Sequence, residues 1–382
     1  MNEHNSVPNI RFRNFKDEWA EKKISNFIIK NSDKNKNLAI KNIESISNKT
    51  GFTKQSEQFD GYRVASQDIS NYYVISPNQF AYNPSRINVG SIAYKNTGED
   101  KSIISPLYIS FSTSSHINDH FLWFWFKTTS FKKQRIQFSE GGVRDTLPFE
   151  NLKKMEISFP LLQEQQKIGD FFSRLDKLLD LQQQKIDKLE LLKKALLQKL
   201  FPKHDAKIPE LRFKGCDGEW EDCLVGNLLE VVPNKEYITE ASKKGLNPVI
   251  QQGEKPILGF SNKAPYKEYK KVVLFGDHTV SLYKPESPFL IATDGIKILY
   301  VKDWNGHFLF AFLQKYKPDS EGYKRHFSIL KSKKAKFTII DEEQQKIGNL
   351  LSKVDQLIEL ENKKLQNFQQ VKKCLLQNMF VE

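Results

Sequence analysis

The sequence predicts an α+β fold: two globular halves of mixed α/β structure joined by two long antiparallel coiled-coil helices, with pseudo-two-fold symmetry inside one chain. Three observations predict it. Two short segments recur in the same order, two stretches carry a heptad of apolar residues, and the halves between them have diverged while keeping fragments of a common pattern. The parts run in the order first half (1–160), first helix (161–202), second half (203–340) and second helix (341–382).

The first recurring segment opens each half. Pro8-Asn9-Ile10-Arg11-Phe12 with Glu18-Trp19 returns as Pro209-Glu210-Leu211-Arg212-Phe213 with Glu219-Trp220, 201 residues on. The second opens each helix. Glu164-Gln165-Gln166-Lys167-Ile168-Gly169 returns as Glu343-Gln344-Gln345-Lys346-Ile347-Gly348, and Ser173 and Asp176 return as Ser352 and Asp355, at an offset of 179. The second half is therefore 22 residues shorter, the difference between the two offsets. Between these anchors Asn118-Asp119-His120-Phe121-Leu122 is echoed by Asn305-Gly306-His307-Phe308-Leu309, and Ser139-Glu140-Gly141 with Arg144 by Ser320-Glu321-Gly322 with Arg325.

The helices follow from a 3.5-residue apolar period. The first seam reads Ile168, Phe172, Leu175, Leu179, Ile186, Leu189, Leu196 and Leu200; the second reads Ile347, Leu351, Val354, Ile358, Leu365, Phe368, Leu375 and Met379. Both are interrupted by polar residues at the same two places, Gln182 and Lys193 in the first and Glu361 and Lys372 in the second, which suggests a register-setting role. About 38 residues at about 1.5 Å each give a rod of roughly 57 Å, too long for one half to cover. The second half starts where the first helix ends and finishes where the second begins. Antiparallel helices bring those two points together, so the expectation is a dumbbell.

Composition narrows the partner. Lys plus Arg number 59 against 46 Asp plus Glu, a formal charge of +13, which favours a polyanion. Hydrophobic residues make up 39% of the chain, enough for a core in each half. Cys216, Cys223 and Cys374 form no CxxC or Cys/His cluster, so no metal site is expected and a reducing cytoplasm is the expected compartment. The N-terminus has no secretory pattern, and the run Phe121–Phe126 is far too short to span a bilayer, so no membrane partner is expected.

Two similar modules on a rigid spacer suit a duplex read at two places, one helical turn being about 34 to 36 Å. Because the halves differ, the expected target is bipartite and asymmetric. Basic residues cluster where the halves diverge most: Lys132, Lys133, Arg135 and Arg144 in the first, Lys324, Arg325, His326, Lys333 and Lys334 in the second. Lysines suit phosphates, and Arg, Asn, Gln and His suit base edges; solvated loop faces are the alternative. Arg86 and Asn88 in Tyr82–Ser91, and His278 in Phe275–Thr279, fit base-reading loops and ordinary turns equally. The aromatic run 121–126 fits a core better than a base-stacking surface.

Catalytic signatures are lacking. Asn83-Pro84-Ser85-Arg86 is the nearest approach to the Asn/Asp-Pro-Pro-aromatic motif of an amino methyltransferase, and it has neither the second proline nor the aromatic. Pro318-Asp319 with Glu321 and Lys324 has the wrong spacing for a nuclease. There is no GxxxxGK[ST] loop and no HExxH. No catalytic residue is expected in this chain.

Together, the order of parts, the helix opening Pro160-Leu161-Leu162-Gln163-Glu164-Gln165-Gln166-Lys167-Ile168 and the Pro-x-[Ile/Leu]-Arg-Phe lead-in resemble the specificity subunit of type I restriction-modification enzymes, particularly Gram-positive bacterial members. The resemblance implies two target-recognition domains on double-stranded DNA and two helices that measure the gap. It also implies two modification subunits that methylate adenine with S-adenosylmethionine, and two restriction subunits that use ATP and Mg2+. This chain would bind no cofactor itself. One departure is Ile339-Ile340-Asp341 where the first helix opens with Pro160-Leu161-Leu162. Two other classes fit parts of the sequence: a stand-alone DNA-binding regulator and a coiled-coil adaptor.

Overall fold

In a computed structural model, residues 7–48, 50–55, 68–141, 145–322 and 324–381 are described. The chain divides into two compact units, residues 1–181 with 366–382 and residues 182–365. The division runs through both long helices, Leu162–Lys199 and Asp341–Asn378, each of 38 residues.

The first unit contains two four-stranded sheets and a two-stranded ribbon. Ile28–Lys30, Ile109–Thr113, Phe80–Tyr82 and Ile92–Tyr94 pair antiparallel in that spatial order. Gly51–Lys54, Ile43–Ser47, Ser102–Ile104 and Tyr73–Ile75 form the other sheet, with one parallel pair at its centre. Ala20–Lys23 pairs with Glu156–Phe159, tying the start of the globular half to the strand before the long helix. The core gathers the aromatic run: Phe121, Leu122, Phe124, Trp125 and Phe126 are buried, four of them in the helix Asp119–Trp125. This run is core, as expected of apolar residues too dense for a solvated face.

The second unit uses the same parts. Glu230–Val232, Ile296–Tyr300, Val273–Gly276 and Leu282–Tyr283 make an antiparallel sheet, and Ile257–Ser261, Asn247–Ile250 and Leu290–Ile291 a smaller one with one parallel pair. Glu221–Leu224 pairs with Lys334–Phe337, repeating the ribbon. The echoed Asn118 and Asn305 prove to be helix N-caps: each side chain accepts the backbone N–H three residues on, from Phe121 at 3.0 Å and from Phe308 at 2.8 Å.

Those caps explain the recurring glycine. A Cβ on Gly169 would lie 2.8 Å from Asn118 Oδ1 and 3.0 Å from the Phe121 nitrogen; on Gly348 it would lie 2.6 Å from the Phe308 nitrogen and 3.0 Å from the His307 carbonyl carbon. The long helix crosses the start of the shorter one so closely that only glycine fits. In an exposed helix Gly→Ala stabilises by about 1 kcal/mol. Here the sign reverses: Gly348→Ala, facing backbone atoms, is expected to cost about 2 kcal/mol in a urea titration, and Gly169→Ala to lose part of the Asn118 cap as well.

Within each unit the helix segments run antiparallel. In the first, Lys372 pairs with Asp176; in the second, Lys193 pairs with Asp355 at 2.6 Å. Each lysine that interrupts the heptad thus meets the aspartate that recurs with the helix opening. Gln182 and Glu361, the other interruptions, meet each other: Gln182 Nε2 donates to the Glu361 carboxylate at 2.7 Å and to its backbone carbonyl at 3.0 Å. Ile168, Phe172, Ile186, Ile347, Leu351, Val354 and Leu365 are buried, whereas Leu175, Leu179, Leu189, Leu196, Ile358 and Leu375 are half-buried. Phe368 corrects the seam pattern. It stands 40% exposed, because two helices cover only one side of a seam and leave a long ring at its rim uncovered.

Glu361 is the buried charge of the pair. Hydrogen bonds from Gln182, Lys185 and Lys364 hold its carboxyl down to about 2. A depressed carboxylate contributes stability that is complete above its ordinary range and is lost as pH falls toward the folded value. Thermal melts between pH 5 and pH 3 are therefore expected to fall more steeply for the native chain than for Glu361→Gln. Parallel curves would refute the assignment.

Candidate nucleic-acid interface

The two recurring segments are far apart in sequence and meet in space. In the first unit Arg11 grips Glu164 with both ends of its guanidinium, Nε to Oε1 at 2.7 Å and Nη2 to Oε2 at 2.8 Å. In the second unit Arg212 grips Glu343 in the same way, at 2.9 and 3.0 Å. Both carboxylates are buried. One residue earlier, the backbone N–H of Ile10 donates to the Asn378 carbonyl at 2.8 Å, and that of Leu211 to the Lys199 carbonyl at 2.9 Å. The lead-in segment therefore caps the C-terminal end of one long helix and ion-pairs the N-terminal turn of the other.

Each helix end is also sealed by an aromatic. Phe380 stacks on Phe121 at 5.1 Å and meets Trp19 edge-on, while Phe201 stacks on Phe308 at 6.2 Å and meets Trp220 edge-on. Gln165 completes the joint in the first unit, accepting from the Asn118 N–H at 2.8 Å and donating to the Pro160 carbonyl at 2.9 Å. Gln344 donates to the Thr338 carbonyl at 2.6 Å, so the different opening of the second helix keeps a glutamine-to-carbonyl bond but moves it one residue back, to the residue before Ile339.

The basic candidates sort by burial. Lys132 and Lys133 are exposed on the helix Thr129–Phe138. Arg135, on the same helix, is buried, which corrects its assignment to an outer basic cluster: it lies four residues after the buried Phe131 and so shares that inward face. Arg144 lies outside the described residues. Arg86 and Asn88 are exposed at the tip of the hairpin between Phe80–Tyr82 and Ile92–Tyr94, a turn closed by the Asn83 side chain on the Ser85 N–H at 3.0 Å. Turn and surface readings therefore coincide there.

In the second unit Lys324, Arg325, Lys333 and Lys334 are exposed. His326 is fully buried and is a second correction. Its Nε2 accepts from the Glu321 N–H at 3.1 Å and its Nδ1 donates to the Asp277 carbonyl at 3.1 Å, leaving neither nitrogen for a base. Asp277 accepts from the Phe327 N–H at 2.8 Å and caps the short helix Phe327–Ser332, so this pair is a joint of the fold. His278 is half-buried beside it, its backbone N–H held by Gln252 Oε1 at 3.0 Å. Among the described residues no cluster of His, Cys, Asp and Glu could hold a metal, and no helix is long and apolar enough to cross a membrane.

Residues 16–191 match the model of the family described as type I restriction modification DNA specificity domain. That stretch is 176 of the 382 residues, and the match agrees with the resemblance to a type I specificity subunit. Over nearly its full length the chain also shares the fold of the S subunit of the type I restriction-modification system from M. genitalium. That crystal structure is 16% identical, with a TM-score of 0.68 over 98% of this chain and 99% of the other. A chain from a study of complex assembly and conformational transition of the type I R-M system is 15% identical, with a TM-score of 0.50 over 94% and 96%.

Proposed function

We propose that this chain is the non-catalytic, sequence-reading subunit of a type I restriction-modification complex. Each globular half reads one part of a bipartite, asymmetric site on double-stranded DNA, and the two helices set the gap. The helices also carry two modification subunits, and two restriction subunits complete the complex, so that the chain directs adenine methylation or ATP-dependent cleavage. S-adenosylmethionine, ATP and Mg2+ belong to those partners.

The observation that carries the reading is the joint built twice from recurring residues, while the exposed basic residues differ between the halves. A common frame with two different reading surfaces is what a bipartite, asymmetric target requires. Further support comes from apolar residues left uncovered at recurring positions. Leu178 and Leu181 on the first helix recur as Leu357 and Leu360 on the second, and all four are exposed.

The test is to sequence modified bases in cells that carry the partner subunits. Exchanging the first half for that of a relative is expected to change one component of the methylated motif and leave the other. Removing one heptad from both helices is expected to change the gap and not the bases. Altered bases in both components, or an unchanged gap, would overturn the proposal, and an unmethylated genome would favour a regulator or adaptor.

A further inference from the structure

The turn Lys243–Asn247 in the second unit holds a leucine out in solvent with unusual firmness. Leu246 is 86% exposed. Its turn is nevertheless fixed. The Leu246 N–H donates to Asn262 Oδ1 at 3.1 Å, the Asn247 side chain donates to the Lys263 carbonyl at 3.1 Å, and the Ser242 hydroxyl donates to the Lys244 carbonyl. Gly245 lies so close to the neighbouring strand that a Cβ would come within 2.6 Å of the Ser261 nitrogen. Holding a whole aliphatic side chain in water forfeits the burial that leucine normally gains on folding.

The surroundings say what covers it. Lys243, Lys244 and Lys263 flank the leucine and are all exposed, Lys263 Nζ donating to the Ile238 carbonyl at 2.8 Å, and the groove at the foot of the turn is lined by Lys243, Leu258 and Phe260 together with one acid, Glu240. An apolar tip between cations suits a polyanion whose interior is apolar. Proteins that press leucine against base steps or thymine methyls of a duplex, with lysines on the adjoining phosphates, have this composition.

We infer that Leu246 is a specificity-determining residue of the second half, making an apolar contact to the bases of duplex DNA while Lys243 and Lys244 hold the phosphates. This rests on the proposed reading of DNA by that half. It adds a contact that no charged or polar motif in the sequence announces.

The experiment uses the full chain assembled with its modification subunits and a labelled duplex carrying the methylated motif. Leu246→Ala is expected to weaken binding at least about tenfold, the factor that burial of one leucine supplies, with the salt dependence unchanged and Leu246→Met restoring most of the loss. Lys243→Ala with Lys244→Ala is expected instead to lower the salt slope by about 1 to 2. Binding by Leu246→Ala within about twofold of the native complex, or a loss confined to assembly with the modification subunits, overturns the inference and leaves the proposed function standing. Failure of the native complex to bind the duplex would overturn both.

Discussion

Glu343→Ala is expected to destabilise the second unit by about 3 to 5 kcal/mol, and Glu164→Ala the first by a similar amount. In each case a buried carboxylate is removed from a two-pronged grip, and the arginine left behind stays largely covered. The size follows from the asymmetry between forming and breaking such a pair. Forming it gains little over an apolar contact, because both groups lose water; breaking it strands one charge. Arg212 has a further tie, from Nη1 to the Gly218 carbonyl, so the stranded guanidinium cannot swing out without breaking that too. Urea titration followed by tryptophan fluorescence measures the effect, since Trp19 and Trp220 are buried beside the two joints. A loss below about 1 kcal/mol in both variants would mean that the pairs are solvated ornaments.

The same joint shows why part of this fold was legible in the sequence. A bidentate ion pair, a capped helix end and a glycine at a close crossing each tolerate one residue type, so they recur after the halves have diverged. The lysines at polar seam positions were legible for the same reason, although their aspartate partners were not, since no spacing rule links residue 176 to 372 or 193 to 355. Strand pairing was harder to read. Strands of two to five residues leave no long alternation for a period to reveal.

The candidate surface was less legible still. Lys324-Arg325-His326 reads as one basic run, yet the first two side chains face water and the third fills a joint with Asp277. Neighbours in sequence at the end of a helix point in different directions, and charge alone does not say which. Arg135 was misread beside Lys132 and Lys133 for the same reason. Leu246 was invisible for the opposite reason, because a leucine reads as core until its exposure is known.

The second large effect concerns the helix faces that the seam does not cover. Leu178 and Leu181 lie on the side of the heptad next to the seam, and so do Leu357 and Leu360, three residues apart in each case. Phe368 and Val371 in the first unit and Leu192 in the second are exposed as well. A helix pair that needed no partner would place charge at these positions, since leucine at an exposed helix site gains nothing from folding. On the proposed reading each of these faces receives one modification subunit. Leu357→Glu with Leu360→Glu is then expected to leave the chain folded, with a urea midpoint within experimental error of the native one. Capture of one of the two modification subunits should fall by at least about a hundredfold, as burying two carboxylates against an apolar partner dictates. Leu178→Glu with Leu181→Glu should remove the other, and mass measurement of the assembled complex counts the copies. Retention of both subunits by both double variants would move the docking surface off these faces, and loss of both from either variant would mean that the two sites are coupled.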